Sequence, residues 1–260
     1  MDSRSGPPGP ARRTGPRDSI PASVRQAATD AAAVLQLQRR EIAERVTRGP
    51  VRGVRLHTGG GEALNRWMAE ACQTWTTLRS LRPAATAENV RATLPQNRRL
   101  VRDGLAMVSI FDTDGIRPDA RVLLANEPVG EYRFGVCPVQ MKIVDDRIVL
   151  LEGPVLDDQV TLMEVTAGPC VQSAWRYWEL ALESSYPARG SVPAPADLTP
   201  RQHQIVALLS NDLGDDAIAE ALGVSVRTVR SDVAAILTAL GVRSRFAAGR
   251  RLSAAWPSSS

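Results

Sequence analysis

The sequence predicts an α/β domain followed by a small all-α domain. Three observations carry this. Apolar residues alternate between strand-like and helix-like periods from 51 to 186, a proline-rich stretch follows at 187–197, and no strand signal remains beyond 198.

The 260 residues suffice for one or two domains, and 43% hydrophobic content supports packed cores. Cys72, Cys137 and Cys170 are odd in number and far apart, which argues against a disulfide scaffold or a Cys-rich zinc module. His57 and His203 are the two histidines, too few for clustered imidazole chemistry, and the sequence predicts neither metal nor cofactor. Apolar runs fall far short of the ~20 residues that span a bilayer, so no membrane association is expected. Arg12-Arg13 leads into no apolar stretch and is not read as an export signal, which predicts a cytoplasmic protein. Of the 32 basic residues, Lys142 is the single lysine; the net charge of +4 is too small to indicate a partner by itself.

In chain order, residues 1–19 lack large apolar side chains and are expected to be disordered. Residues 20–49 read as a long helix, with Val24, Ala28, Ala31, Leu35, Ile42 and Val46 along one stripe. That stripe suits a dimerisation seam or a surface helix packed on the domain. The regulatory α/β domain, 50–186, begins with a strand at 51–58 and a helix at 61–74. A strand candidate at 77–81 precedes a helix at 87–102, which Pro95 is expected to break. A strongly apolar strand covers 106–111, while 121–125 is ambiguous. Strand candidates follow at 132–136, 139–144, 147–151 and 160–165, with Asp145-Asp146 as a hairpin turn. A closing helix, 170–183, is expected to bury Val171, Ala174, Trp175, Trp178 and Leu182. The linker is 187–197 and the helical domain 198–256. Gly59-Gly60-Gly61 and Asp112-Thr113-Asp114-Gly115 lack the partners of a phosphate loop or a calcium loop and read as turns.

The helical domain carries ordered punctuation. Thr199-Pro200 starts a helix, Gly223 ends a second, Ser225 caps a third (226–240), and Gly241 terminates it. A fourth helix is predicted over 244–256. Val229, Val233, Ile236 and Leu240 face inward, and Arg227, Thr228, Arg230 and Ser231 lie opposite. Residues 197–224 hold one Arg and five acids, a charge of −4; residues 225–260 hold six Arg and one acid, a charge of +5. Two short helices joined at a glycine corner, the second presenting donors from its first turns, have the form of a helix-turn-helix reader of the DNA major groove.

LTPRQHQIVALLSN, DDAIAEALGVSVRTVRSDVAAILTALGV and RSRFAAG together resemble the LuxR-type (FixJ/NarL-like) DNA-binding domain of bacterial transcription regulators. The resemblance implies a four-helix domain, dimeric on double-stranded DNA, with Thr228 and Arg230 near phosphates or bases. Ser225, Arg227, Thr228, Arg230, Ser231, Arg243 and Arg245 are the candidate DNA-binding residues. Gln202 departs from the acid usual after Thr-Pro-Arg, Asp232 from a common histidine, and Ala239 from a phosphate-contacting lysine. Asp232, if it faces the DNA backbone, repels it, which predicts modest affinity leaning on dimerisation.

The region from Gly104 to Pro187 resembles the phospholipase-D-like middle domain of some actinobacterial LuxR-type regulators, itself similar to TrmB-type regulators. The active motif of that superfamily is His-x-Lys-x4-Asp. With Asp145 in the Asp slot, Gln140 and Pro138 fill the Lys and His slots; with Lys142 in the Lys slot, Gln140 and Arg147 fill the others. Neither frame supplies a nucleophile, so no catalytic residue is assigned and the chain is not expected to be an enzyme. The sequence thus predicts a homodimeric transcriptional regulator whose non-catalytic α/β domain, phospholipase-D-like with a mixed sheet, senses a small-molecule effector or serves as a dimerising scaffold. RNA polymerase is a candidate further partner. The rival reading is a module that docks on another regulator or on RNA polymerase without specific DNA binding.

Overall fold

The computed structural model describes residues 20–191, 198–209 and 213–240, together with Val242, Ser244 and Ala248. The expectations for 1–19, for most of the linker and for nearly all of the fourth helix lie outside the described residues. Helix α1 (Ala22–Arg48) leads into β1 (Val54–His57), α2 (Gly60–Ala71) and, after a short 3-10 turn, β2 (Thr77–Arg82). Next come α3 (Ala87–Arg102), β3 (Ala106–Asp112), α4 (Pro118–Ala125) and β4 (Glu131–Gly135). Strands β5 (Met141–Val144), β6 (Ile148–Glu152) and β7 (Leu162–Val165) precede α5 (Gly168–Glu183) and the two-residue β8 (Tyr186–Pro187). Helices α6 (Pro200–Leu209), α7 (Asp215–Leu222) and α8 (Val226–Ala239) follow.

One eight-stranded mixed sheet results, in the order β1-β7-β6-β5-β2-β3-β4-β8. The central β2, β3 and β4 run parallel, as their helical crossovers require, and the other pairs are antiparallel. Residues Asp145 and Asp146, at φ +48° and +62°, make the tight turn between β5 and β6. The Asp145 carboxylate accepts hydrogen bonds from the backbone N–H groups of Thr76 and Thr77 and from the Thr76 hydroxyl. Burial alone would raise its pKa, but these bonds outweigh burial and hold it below the usual carboxylate value. Asp145 is thus tied to the start of β2. At the predicted turn after β3, Asp112 accepts from the backbone of Asp114, Gly115 and Cys137.

Alternation along the strands builds two apolar layers. Leu81, Ile110, Ile143, Val149 and Met163 face α1 and α5, where Leu35, Ala174 and Tyr177 are buried. Leu78, Met107, Phe111, Val144 and Leu150 face the other way, toward the layer that holds Val90 and Leu94 of α3 and Leu123 of α4. Tyr177 is fully buried because its hydroxyl is satisfied, donating to the Val139 carbonyl and accepting from the Val139 N–H.

Three details differ from the sequence reading. Pro95 does not break α3, since Val90, Leu94 and Leu100 on either side of it share one buried face that holds both halves in line. The ambiguous segment around 121–125 is helical, with proline at the start of α4, where a missing N–H is harmless. Leu182 is exposed, and Tyr177 and Leu180 fill the core at that end of α5 instead. Helix α1 packs along α5 through Ala28, Ala32 and Leu35, leaving Val34 and Leu37 exposed.

Candidate nucleic-acid interface

Local chemistry sets each helix of the C-terminal unit. Thr199 and Gln202 form a reciprocal cap on α6, each side chain accepting from the other's backbone N–H at 3.3 and 2.9 Å. Gln202 therefore does the work of the acid usual at that position. Gly223 sits at φ +65°, the left-handed conformation that ends α7, and turns the chain into α8. The Ser225 hydroxyl accepts from the Thr228 N–H at 3.1 Å and exchanges a hydrogen bond with the Thr228 hydroxyl at 2.8 Å. Removing this cap with Ser225→Ala is expected to lower stability by about 0.5–2 kcal/mol, read as a shift in the urea midpoint.

Helix α8 buries Val229, Val233 and Ile236 against α6 and α7. Its opposite face exposes Ser225, Arg227, Arg230 and Ser231, with Thr228 half-buried among them. The Arg230 side chain is 70% exposed and lies 3.2 Å from Asp215 at the start of α7. Arg227 makes no hydrogen bond or ion pair with another described residue, and its guanidinium is exposed. Arg243 and Arg245 lie outside the described residues. Asp232 corrects an expectation. It is buried against α6, where its carboxylate binds Arg201 at 2.6 Å and accepts from Gln202 at 3.4 Å. It cannot repel a nucleic acid laid on the exposed face, because helix geometry places it on the inner one.

This unit rests on the sheet domain through α6 against α4 and α7 against α3. At the contact Glu127 is completely buried, held by Arg98 in a two-pronged ion pair at 2.6 and 2.9 Å. The same carboxylate accepts from the Val129 N–H and from Gln204 of α6, while Arg98 also donates to the Leu222 carbonyl of α7. The hydrogen bond to Glu127 is the main reason the Arg98 guanidinium holds its proton more tightly than usual. Among the described residues, the docking uses one side of the helical unit and leaves the exposed face of α8 clear.

A cavity on one face of the sheet domain is not announced by the sequence. It occupies about 780 Å³ between the sheet and helices α2 and α3. Cross-strand register builds its floor: Ser109 pairs with Ser80, Ser80 with Lys142, and Lys142 with Leu150. Arg82 and Gln140 lie one pleat further along the same face. The available signal was three polar residues at inward positions of the strands: Ser80 in TLRSLR, Ser109 in AMVSIFD and Lys142 in MKIV. Among the described residues, no three of His, Cys, Asp and Glu gather in a way that would hold a metal.

Burial, and secondarily the charge of Arg82, push the Lys142 ammonium down to about 8. The other titratable groups lining the cavity are Arg82, Glu152 and Cys72. Above pH 8 the folded chain releases the Lys142 proton while the unfolded chain keeps it. The unfolded state then binds more protons, so this residue's contribution to stability improves as pH rises from about 8 toward the ordinary lysine value. The midpoint difference between wild type and Lys142→Met is expected to shrink over that window; a constant difference contradicts the assignment.

Two short helices joined at the Gly223 corner, the second capped by Ser225 and bearing exposed arginines, have the arrangement of a helix-turn-helix domain of the kind found in DNA-binding transcription regulators. Residues 196–251 match the family model described as "Bacterial regulatory proteins, luxR family", so the chain carries a LuxR-family domain at its C-terminal end. No curated protein matches the chain in a sequence search. Among solved structures it is similar to Nuc from Salmonella typhimurium, a phospholipase D family member, at 13% identity and TM-score 0.41, covering 53% of this chain and 98% of that one. NucT from Helicobacter pylori is similar at 14% identity and TM-score 0.40, covering 52% and 99%. TrmBL2, described as an archaeal chromatin protein with a novel mode of DNA binding, is similar at 12% identity and TM-score 0.37, covering 63% and 67%. Among the described residues no helix is long and apolar enough to cross a membrane.

Proposed function

We propose that the chain is a sequence-specific regulator of transcription that reads the major groove with α8 and acts as a cytoplasmic homodimer. Ser225, Arg227, Thr228, Arg230, Ser231, Arg243 and Arg245 contact the duplex. One observation carries this reading: the N-terminal face of α8 presents exposed arginines while the domain's only described docking surface lies elsewhere. The sheet domain is non-catalytic and serves effector sensing or dimerisation; neither Pro138 nor Gln140 supplies the nucleophile that phosphodiester hydrolysis needs.

Selection of bound fragments from random DNA by the purified full chain, followed by footprinting, tests the proposal. A homodimer predicts two half-sites about 34–36 Å apart on one face of the duplex. A chain that enriches no sequence, yet still binds another regulator or RNA polymerase, is a docking module instead.

A further inference from the structure

Two cations share the floor of the sheet-domain cavity, and neither has a counter-ion among the described residues. The Arg82 and Lys142 side chains make no hydrogen bond or ion pair with any described residue; the Arg82 guanidinium lies 5.6 Å from the Phe111 ring centre. Glu152 is the one carboxylate among the described residues lining the cavity, and its side chain is 63% exposed, turned toward Arg39 of α1. Isolated charges held inside a fold are costly unless something neutralises them. Beside them the buried Ser80 and Ser109 hydroxyls have no hydrogen-bond partner among the described residues, yet both line open space. Met68, Trp75, Leu100 and Leu162 give the cavity an apolar side. The volume, about 780 Å³, falls within the range of small-molecule sites.

We propose that this cavity binds a small organic dianion, with its charged head on Arg82 and Lys142, hydrogen bonds from Ser80 and Ser109, and its body against Trp75 and Leu100. Two positive charges in one enclosure call for two negative ones, which phosphate monoesters and dicarboxylates supply. The inference rests on the reading of the sheet domain as an effector sensor, and names the effector's chemistry. Burial lowers the lysine's pKa to about 8, so it still carries its proton at neutral pH.

The test is thermal unfolding of the full chain in inorganic phosphate or succinate, against chloride at matched ionic strength. A dianion at tenfold its dissociation constant is expected to raise the midpoint by about 2–5 °C. A rise with phosphate alone identifies phosphate monoesters, and a rise with succinate alone identifies dicarboxylates. The rise is expected to vanish in Lys142→Met and Arg82→Met. Lys142→Met should fold, with a ligand-free midpoint at or above wild type, because it removes an unneutralised charge. A readout without cation variants is the pH series: the dianion effect fades above about pH 8 as Lys142 loses its proton, and fades equally in Cys72→Ala. No rise with either dianion, an equal rise in both cation variants, or a rise independent of pH from 7 to ~9.5 overturns the site. Fragment selection in the same samples separates the two levels: intact DNA selectivity without a dianion effect refutes this site alone, and lost selectivity refutes the regulator reading.

Discussion

Arg227→Ala and Arg230→Ala are each expected to weaken binding to the selected operator about 5- to 150-fold, the ~1–3 kcal/mol that a bidentate contact to a base contributes. Both side chains leave the exposed face of α8 within its first turns, where a reading helix meets base edges. The two substitutions differ in cleanness. Arg227 has no partner among the described residues, so its removal subtracts only what it gives to DNA. Arg230 also touches Asp215, but that pair is solvent-exposed on the arginine side and adds at most about 1 kcal/mol to stability. Fluorescence anisotropy across a salt series distinguishes the roles. A base contact relaxes preference at one operator position; a phosphate contact weakens all sequences alike and reduces the salt slope by about one. Unchanged affinity in both variants removes α8 as the reading helix.

Glu127→Ala is expected to destabilise the chain by about 3–5 kcal/mol, because it leaves the Arg98 guanidinium enclosed without its counter-charge. The Glu127 side chain has no exposed surface and Arg98 is 12% exposed, so little solvent reaches the pair to offset the lost partner. The Val129 N–H and the Gln204 amide lose the same acceptor, and the grip between α6 and the sheet domain weakens with them. The contrast is Glu62→Ala, which breaks an open i,i+4 pair with Arg66 and should change stability by less than about 0.5 kcal/mol. Equal effects in the two variants on chemical denaturation would show that the buried pair is not what holds this contact.

Much of the C-terminal unit is legible in the sequence, because its signals are local. A cap such as Ser225, a corner such as Gly223 and an apolar stripe such as Val229, Val233 and Ile236 each act within a few residues. The inward turn of Asp232 is consistent with helix spacing, since Val229, three before it, and Ile236, four after it, are both on the buried side. Strand existence was likewise readable from alternation. Strand order was not: β1 joins the sheet beside β7, more than a hundred residues later, and no local pattern encodes that pairing. The cavity floor stayed hidden for the same reason. Ser80, Ser109 and Lys142 become neighbours only through the register of three strands. Pro95 misled because local propensity was weighed without the buried face that overrides it.

Helix α3 is a party wall. Gln96, Asn97 and Leu100 line the cavity on one side, while Arg98, between them in sequence, reaches Glu127 and the end of α7 on the other. The helix continues unbroken through its proline. Whatever crowds or tightens one room therefore presses on the tenant next door.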